Sequence, residues 1–193
     1  ERMEMFSLKG KNALIIGGSK GLGTGIASGL AAAGATVVIS SRSQKDIDAA
    51  VADINAAGNG KAVGIPVDIC SVENIRQYVN TCSQRLGHID VLVNCAGVNV
   101  RKPALEFSEG DWDIVTDTQL KYVFFMCQAV AQHMVDRKIK GKIINIASLT
   151  SKLGLKNMVA YCAAKGGIVQ MSKALANELA LSGICVNAIG PGY

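Results

Sequence analysis

Asn12-Ala13-Leu14-Ile15-Ile16-Gly17-Gly18-Ser19-Lys20-Gly21-Leu22-Gly23 sets an apolar run directly against a glycine-rich turn. Ala13 to Ile16 shows no polar alternation, which predicts a strand covered on both faces. Glycines at 17, 21 and 23 give the spacing G-x-x-x-G-x-G, and residues 22–33 continue with helical periodicity. Glycines permit a tight reversal and a close approach of backbone to a pyrophosphate. The helix N-terminus that follows offers unpaired N–H groups and positive dipole charge. A glycine turn alone is equally an ordinary strand-to-helix loop, so the rest of the chain has to decide.

The C-terminal third supplies a second signal. Tyr161 and Lys165 stand four residues apart inside a helical pattern over residues 160–181, and Ser148 lies thirteen residues upstream of Tyr161. Positions i and i+4 share a helix face, so phenol and ammonium point the same way. A nearby cation favours phenolate and makes the tyrosine a usable proton donor and acceptor. Ser148 follows the apolar run Ile143-Ile144-Asn145-Ile146-Ala147, which places it at the C-terminal end of a strand, where open α/β sheets hold ligands. Tyr-x-x-x-Lys by itself is also a common surface pair; the glycine turn and the pair together are far more specific than either.

Between them the chain alternates strands and helices. Strands are predicted at residues 13–16, 36–40, 62–67, 91–94, 142–147 and 185–189. Helices are predicted at 22–33, 43–57, 71–86, 111–137 and 160–181. Ser71 and Ser108 read as N-terminal caps, Ser108 with Asp111 in a capping box, and Gly34 and Gly58 as helix ends. Right-handed crossovers then give an α/β fold with a doubly wound parallel sheet. No repeat, linker or low-complexity stretch divides it, so residues 1–193 form a single domain, with the sixth strand at or near the sheet edge.

Gly17, Gly21, Gly23, Asp68, Asn94-Cys95-Ala96-Gly97, Ser148, Tyr161, Lys165 and Pro191-Gly192 occur in an order and at spacings that resemble the short-chain dehydrogenase/reductase family, from about residue 6 to the last residue. The resemblance implies a Rossmann-type dinucleotide-binding domain, a nicotinamide cofactor, and hydride transfer to or from a carbonyl or alcohol carbon. It implies that Ser148 steadies the carbonyl oxygen, Tyr161 exchanges the proton, and Lys165 stabilises charge and binds the nicotinamide ribose. It assigns Gly17, Ser19, Lys20, Gly21, Leu22 and Gly23 to the cofactor, with Asp68 and Ile69 at the adenine edge. Asn94, Ala96 and Gly97 fall beside the adenine ribose, and Pro191 and Gly192 also contact the cofactor.

At the end of the second strand, an acidic residue would hold the ribose hydroxyls and repel a 2′-phosphate. Ser41 and Arg42 stand there instead, and Lys20 is a second cation within reach. Guanidinium and ammonium both suit phosphate, so NADP(H) is expected over NAD(H), which remains possible. Phe6-Ser7-Leu8-Lys9-Gly10-Lys11, Arg101 to Ser108 and Lys142 to Ser148 are most similar to the family's sugar-acid members, of the gluconate 5-dehydrogenase and 2-deoxygluconate 3-dehydrogenase type. Arg101, with Lys102 beside it, is a candidate for a substrate carboxylate, and Ser148 and Tyr161 complete the substrate contacts. A 3-oxoacyl thioester reductase shares the same motifs, and a cofactor-binding protein without turnover is the remaining alternative.

Four departures from the family pattern stand out. Ile16 replaces a threonine whose hydroxyl braces the turn. Cys95 replaces an asparagine. Gln119 stands where a catalytic asparagine retains a water in the proton relay; the added methylene displaces that relay and predicts weak or absent activity. The family also continues past Pro-Gly into a substrate loop, a helix and a last strand. This chain stops at Tyr193, so the expectation is a domain truncated at its C-terminal end, lacking that strand and loop.

Composition excludes several classes. Hydrophobic residues make up 49% and charged residues 18% of 193 positions, which suits a globular rather than a disordered chain. The net charge of +5 is scattered; its densest run, Arg137 to Lys142, reads as a solvated helix end and not as a nucleic-acid patch. No run reaches membrane-spanning length, and the polar start Glu1-Arg2-Met3-Glu4 carries no secretory signal. The six cysteines lack metal spacing and read as small buried thiols of a reducing compartment; no metal is expected. His88 and His133 receive no role. A cytoplasmic enzyme of small molecules follows, a homo-oligomer (tetramer or dimer) by resemblance if the full-length chain is present.

Overall fold

β1, Asn12–Ile16, is buried along all five residues, as an uninterrupted apolar run requires. The computed structural model describes residues 4–58 and 60–192; the polar start at residues 1–3 and Tyr193 fall outside them. β1 pairs in parallel with β2 (Thr36–Ser40) on one side and β4 (Val91–Asn94) on the other. β3 (Lys61–Gly64), β5 (Lys142–Ile146) and β6 (Cys185–Ile189) complete a six-stranded sheet in the order β3-β2-β1-β4-β5-β6. The order reverses between β1 and β4, and the crevice outside their C-terminal ends is where such sheets bind ligands.

Strand alternation divides the apolar side chains between two cores. Leu14, Val38, Leu92 and Ile143 face α3 (Val72–Leu86), α5 (Tyr122–Asp136) and α6 (Val159–Leu179). Ala13, Ile15, Val37, Ile39 and Val93 face α1 (Gly21–Ala32) and α2 (Gln44–Ala56). Two alanines of α1, Ala27 and Ala31, are fully or almost fully buried and let that helix lie close to the sheet. Ser43, Ser71 and Ser108 cap their helices, Ser108 in a reciprocal box with Asp111. Gly34 and Gly58 end theirs with φ of +101° and +71°.

The structure differs from the sequence expectation in five places. β3 ends at Gly64, not Val67, because Pro66 has no N–H to give the ladder; Ile65 and Val67 still donate to Ile39 O and Ser41 O at 3.1 and 3.0 Å. β5 ends at Ile146, and Ala147 N–H donates to Ile189 O at 2.7 Å as the chain turns away. The single helix expected over 111–137 is α4 (Glu109–Thr116), a π-helical turn (Asp117–Lys121) and α5. The wider turn brings Gln119 inward, where it is 3% exposed. α6 gives way after Leu179 to a 3-10 turn. Finally, Cys70 and Cys185 are exposed, one in the loop before α3 and one opening the edge strand, so not all six thiols are buried.

At the other end of the sheet, buried Asp90 accepts from Lys11 Nζ (3.0 Å) and Asn12 N–H (2.9 Å) and pairs with His88 Nε2 (3.0 Å). Beside it, Ile89 N–H donates to His133 Nε2 at 3.2 Å, a bond only an unprotonated nitrogen accepts. Burial, and then the Arg137 charge, hold the His133 imidazole below the usual histidine range. The fold therefore favours neutral His133: its contribution is complete above the unfolded value of about 6.5 and is lost as pH falls below it. We expect the melting temperature to drop between pH 7.5 and 5, and to drop less in His133→Gln, which still offers an acceptor. Parallel losses in both proteins would contradict this.

Candidate active site

Gly17 leaves β1 with φ of +82°, and a Cβ there would stand 2.5 Å from Ala96 N. A Cβ on Gly23 would overlap the Gly17 carbonyl oxygen. These two positions admit only glycine because the turn, the start of α1 and the loop after β4 converge there. Gly17 and Gly18 N–H both donate to Ser40 O, at 2.8 and 3.3 Å. Thr24 Oγ1 donates to Gly18 O at 3.0 Å. A hydroxyl thus braces the turn from inside α1, although Ile16 supplies none. Lys20 is the N-cap of α1 without any side-chain cap bond, and a Cβ on Gly21 would meet nothing within 4 Å. Uncapped N–H groups at an open helix N-terminus fit a phosphate.

Across the crevice, α6 carries Tyr161 and Lys165. The Lys165 ammonium lies 5.6 Å from the Tyr161 ring centroid and donates to Ile146 O at 2.6 Å, leaving two of its three donors uncommitted. Burial pushes its pKa down to about 8, with Cys95 pulling weakly the other way; at neutral pH it is still mostly a cation. Ser148 opens the 3-10 turn Leu149–Ser151, and its Oγ accepts from Thr150 N–H at 3.2 Å. That contact uses a lone pair and leaves the O–H free to donate. A hydroxyl donor, a phenol and a cation on one wall suit a carbonyl oxygen that gains charge during reduction.

Two cavities line the C-terminal edge of the sheet. One, of about 470 Å³, contains Gly17, Lys20, Leu22, Gly23, Gly97, Arg101, Gln119, Ser148, Tyr161, Lys165, Pro191 and Gly192. The other, of about 580 Å³, contains Gly17, Ser19, Lys20, Ser41, Arg42, Asp68, Ile69, Ala96 and Gly97. Gly17, Lys20, Cys95, Gly97 and Val98 belong to both, so the two are halves of one groove long enough for an extended ligand.

Gly21, Asn94 and Lys102 line neither half, and Asp68 and Gln119 are held by bonds of their own. Gly21 shapes the turn. Asn94, buried, points down from the end of β4 and donates to Asn145 Oδ1 at 2.9 Å and Cys127 Sγ at 3.3 Å. It locks β4 to β5 and does not face the groove. Asp68 Oδ1 accepts from Cys70 N–H at 3.0 Å, which fixes the loop bearing it. Gln119 Nε2 donates to Val98 O at 2.7 Å, with the amide packed against Gly97. Lys102 is held by Asp111 at 2.6 Å, an arrangement that keeps the Asp111 carboxyl down to about 2, so of the two neighbouring cations only Arg101 lines the groove.

Sequence reasoning passed over Asn99 and Thr150. The side-chain oxygens Asn99 Oδ1, Gln119 Oε1 and Thr150 Oγ1 are buried without a hydrogen-bond partner, and all three residues line the 470 Å³ half. Buried polar atoms rarely go unpaired. Neither residue belongs to a motif or a periodic pattern, so only the folded arrangement reveals them.

Strand order, glycine turn and tyrosine–lysine pair together define a doubly wound α/β oxidoreductase. The chain belongs to the short chain dehydrogenase family, whose pattern matches residues 11–193. It is 41% identical over 192 residues to 2-dehydro-3-deoxy-D-gluconate 5-dehydrogenase of Formosa agariphila, covering 99% of this chain and 72% of that one. To gluconate 5-dehydrogenase of Gluconobacter oxydans it is 38% identical, covering 98% and 73%. The crystal structure of a gluconate 5-dehydrogenase from Burkholderia cenocepacia in complex with NADP and tartrate superposes with a TM-score of 0.94 at 35% identity, covering all of this chain and 75% of that one. Among the described residues, no helix is long and apolar enough to cross a membrane.

Proposed function

We propose that the protein is an NADP(H)-preferring oxidoreductase that interconverts a carbonyl and a secondary alcohol on a sugar acid or related polyhydroxy ketone. The observation that carries the substrate class is the guanidinium of Arg101 in the half of the groove beside Tyr161. It suits a carboxylate. Ser41, Arg42 and Lys20 at the other half suit a 2′-phosphate. The names of the relatives and the NADP of the Burkholderia structure point the same way.

A bound nicotinamide supplies or takes up the hydride. In the reducing direction, Ser148 donates its O–H to the carbonyl oxygen and Tyr161 gives that oxygen its phenolic proton. Lys165 offsets the charge left on the phenolate. In oxidation Tyr161 takes the proton back.

Turnover of gluconate, its uncharged hexitol analogue and a 3-oxoacyl thioester, with both cofactors, tests the proposal. We expect the sugar acid to have the highest kcat/KM. Arg101→Ala is expected to raise KM about 10- to 100-fold for the acid, the scale of a charge-assisted bond, and to leave the hexitol almost unchanged. A preference for the thioester overturns the substrate assignment. Tight cofactor binding without turnover of any of the three favours a binding protein.

A further inference from the structure

Lys20, the cation in the glycine turn, is not free. Its Nζ lies 2.7 Å from Asp46 Oδ2. Asp46 sits in the first turn of α2, where Ser43 caps its N–H, and it lines the same cavity as Ser41, Arg42 and Ser43. The Lys20 and Ser43 contacts lower the Asp46 pKa, so it stays ionised at neutral pH. A fixed carboxylate therefore stands among the groups suited to a 2′-phosphate, holding one of the two cations.

We propose that Asp46 is a specificity-determining residue that reduces the margin of NADP(H) over NAD(H): Lys20 must leave Asp46, or share itself with it, before it can meet a 2′-phosphate. The inference rests on the NADP(H) reading of the site. Two unit charges a few ångströms apart at an exposed position interact by little more than thermal energy, so the effect is a graded one. A doubly charged phosphate near the carboxylate is penalised, and a ribose hydroxyl is not. Among the described residues no carboxylate forms an ion pair with Arg42, which sustains the preference that Asp46 trims.

Binding of NADPH and NADH, followed by fluorescence, and of 2′,5′-ADP and 5′-AMP, followed by calorimetry, tests this without turnover. Four proteins are compared: the parent, Asp46→Asn, Lys20→Ala and the double variant. Asp46→Asn keeps the shape and removes the charge. It is expected to tighten NADPH and 2′,5′-ADP about three- to tenfold and to leave NADH and 5′-AMP within about twofold. In the Lys20→Ala background the gain is expected to fall by at least half, because the released ammonium is missing. A parent that binds NADPH and NADH equally defeats the NADP(H) reading itself. A parent that prefers NADPH while Asp46→Asn leaves the ratio unchanged, or weakens all four ligands alike, defeats the role of Asp46. Asp46→Ser, which preserves a polar first turn, repeats the comparison should the Asn variant fold poorly. A gain at 20 mM salt that persists undiminished at 500 mM also counts against it, since exposed charge effects are screened.

Discussion

Tyr161→Phe is expected to lower kcat by about 10²- to 10⁴-fold, the usual contribution of a positioned proton donor, with little change in cofactor affinity. The substitution removes one oxygen from a half-buried residue and keeps its ring beside Lys165. The turn that suits the cofactor phosphates, Gly17 to Gly23, lies across the groove and is untouched. Lys165 keeps its 2.6 Å bond to Ile146 O, so the wall stays in place. Stopped-flow turnover and cofactor titration on the same preparation separate the two effects. A variant that retains near-parental turnover on any substrate the parent uses would remove Tyr161 from the chemistry.

Lys165→Ala is expected to damage both binding and turnover, kcat by about 10²-fold or more and cofactor affinity by at least about tenfold. Lys165 is 6% exposed. Its pKa of about 8 adds a pH signature. Below that value Lys165 carries its charge; as pH rises through it, charge and a donor are lost. Parental cofactor affinity should therefore fall as pH rises from 7 to 9, while the affinity of Lys165→Ala, already weak, stays level over the same range. If both proteins follow the same curve, another group is responsible. Circular dichroism at each pH checks that the variant, which leaves Ile146 O without its partner, is still folded.

The sequence made β1 and its turn readable because both depend on local rules. An unbroken apolar run needs cover on two faces, and positive φ demands glycine at position 17. The Tyr161–Lys165 pair was readable for the same reason, since helical spacing alone puts two residues on one face. Gln119 shows the limit. A π turn adds one residue per hydrogen-bonded loop with no change in composition, so a helix spanning 111–137 looked continuous and the wider turn around Gln119 was hidden. Asn94 shows another. Its motif position suggested a ligand contact, but strand alternation sends its side chain to the face shared with Leu92, where Asn145 and Cys127 receive it. Pairings such as Lys102–Asp111 and Lys20–Asp46 join different elements, and no spacing in the sequence announces them.

The Asp90 cluster has a practical consequence for how this molecule tolerates change. It ties Lys11, Asn12 and His88 together at the edge of the sheet where strands begin, while the groove occupies the edge where they end. The residues that accept new ligands are therefore not those that anchor the scaffold. Ser41, Asn99 and Arg101, which line the groove, lie at the opposite edge of the sheet from that cluster. A laboratory selecting new specificities would do well to reinforce the anchoring edge first.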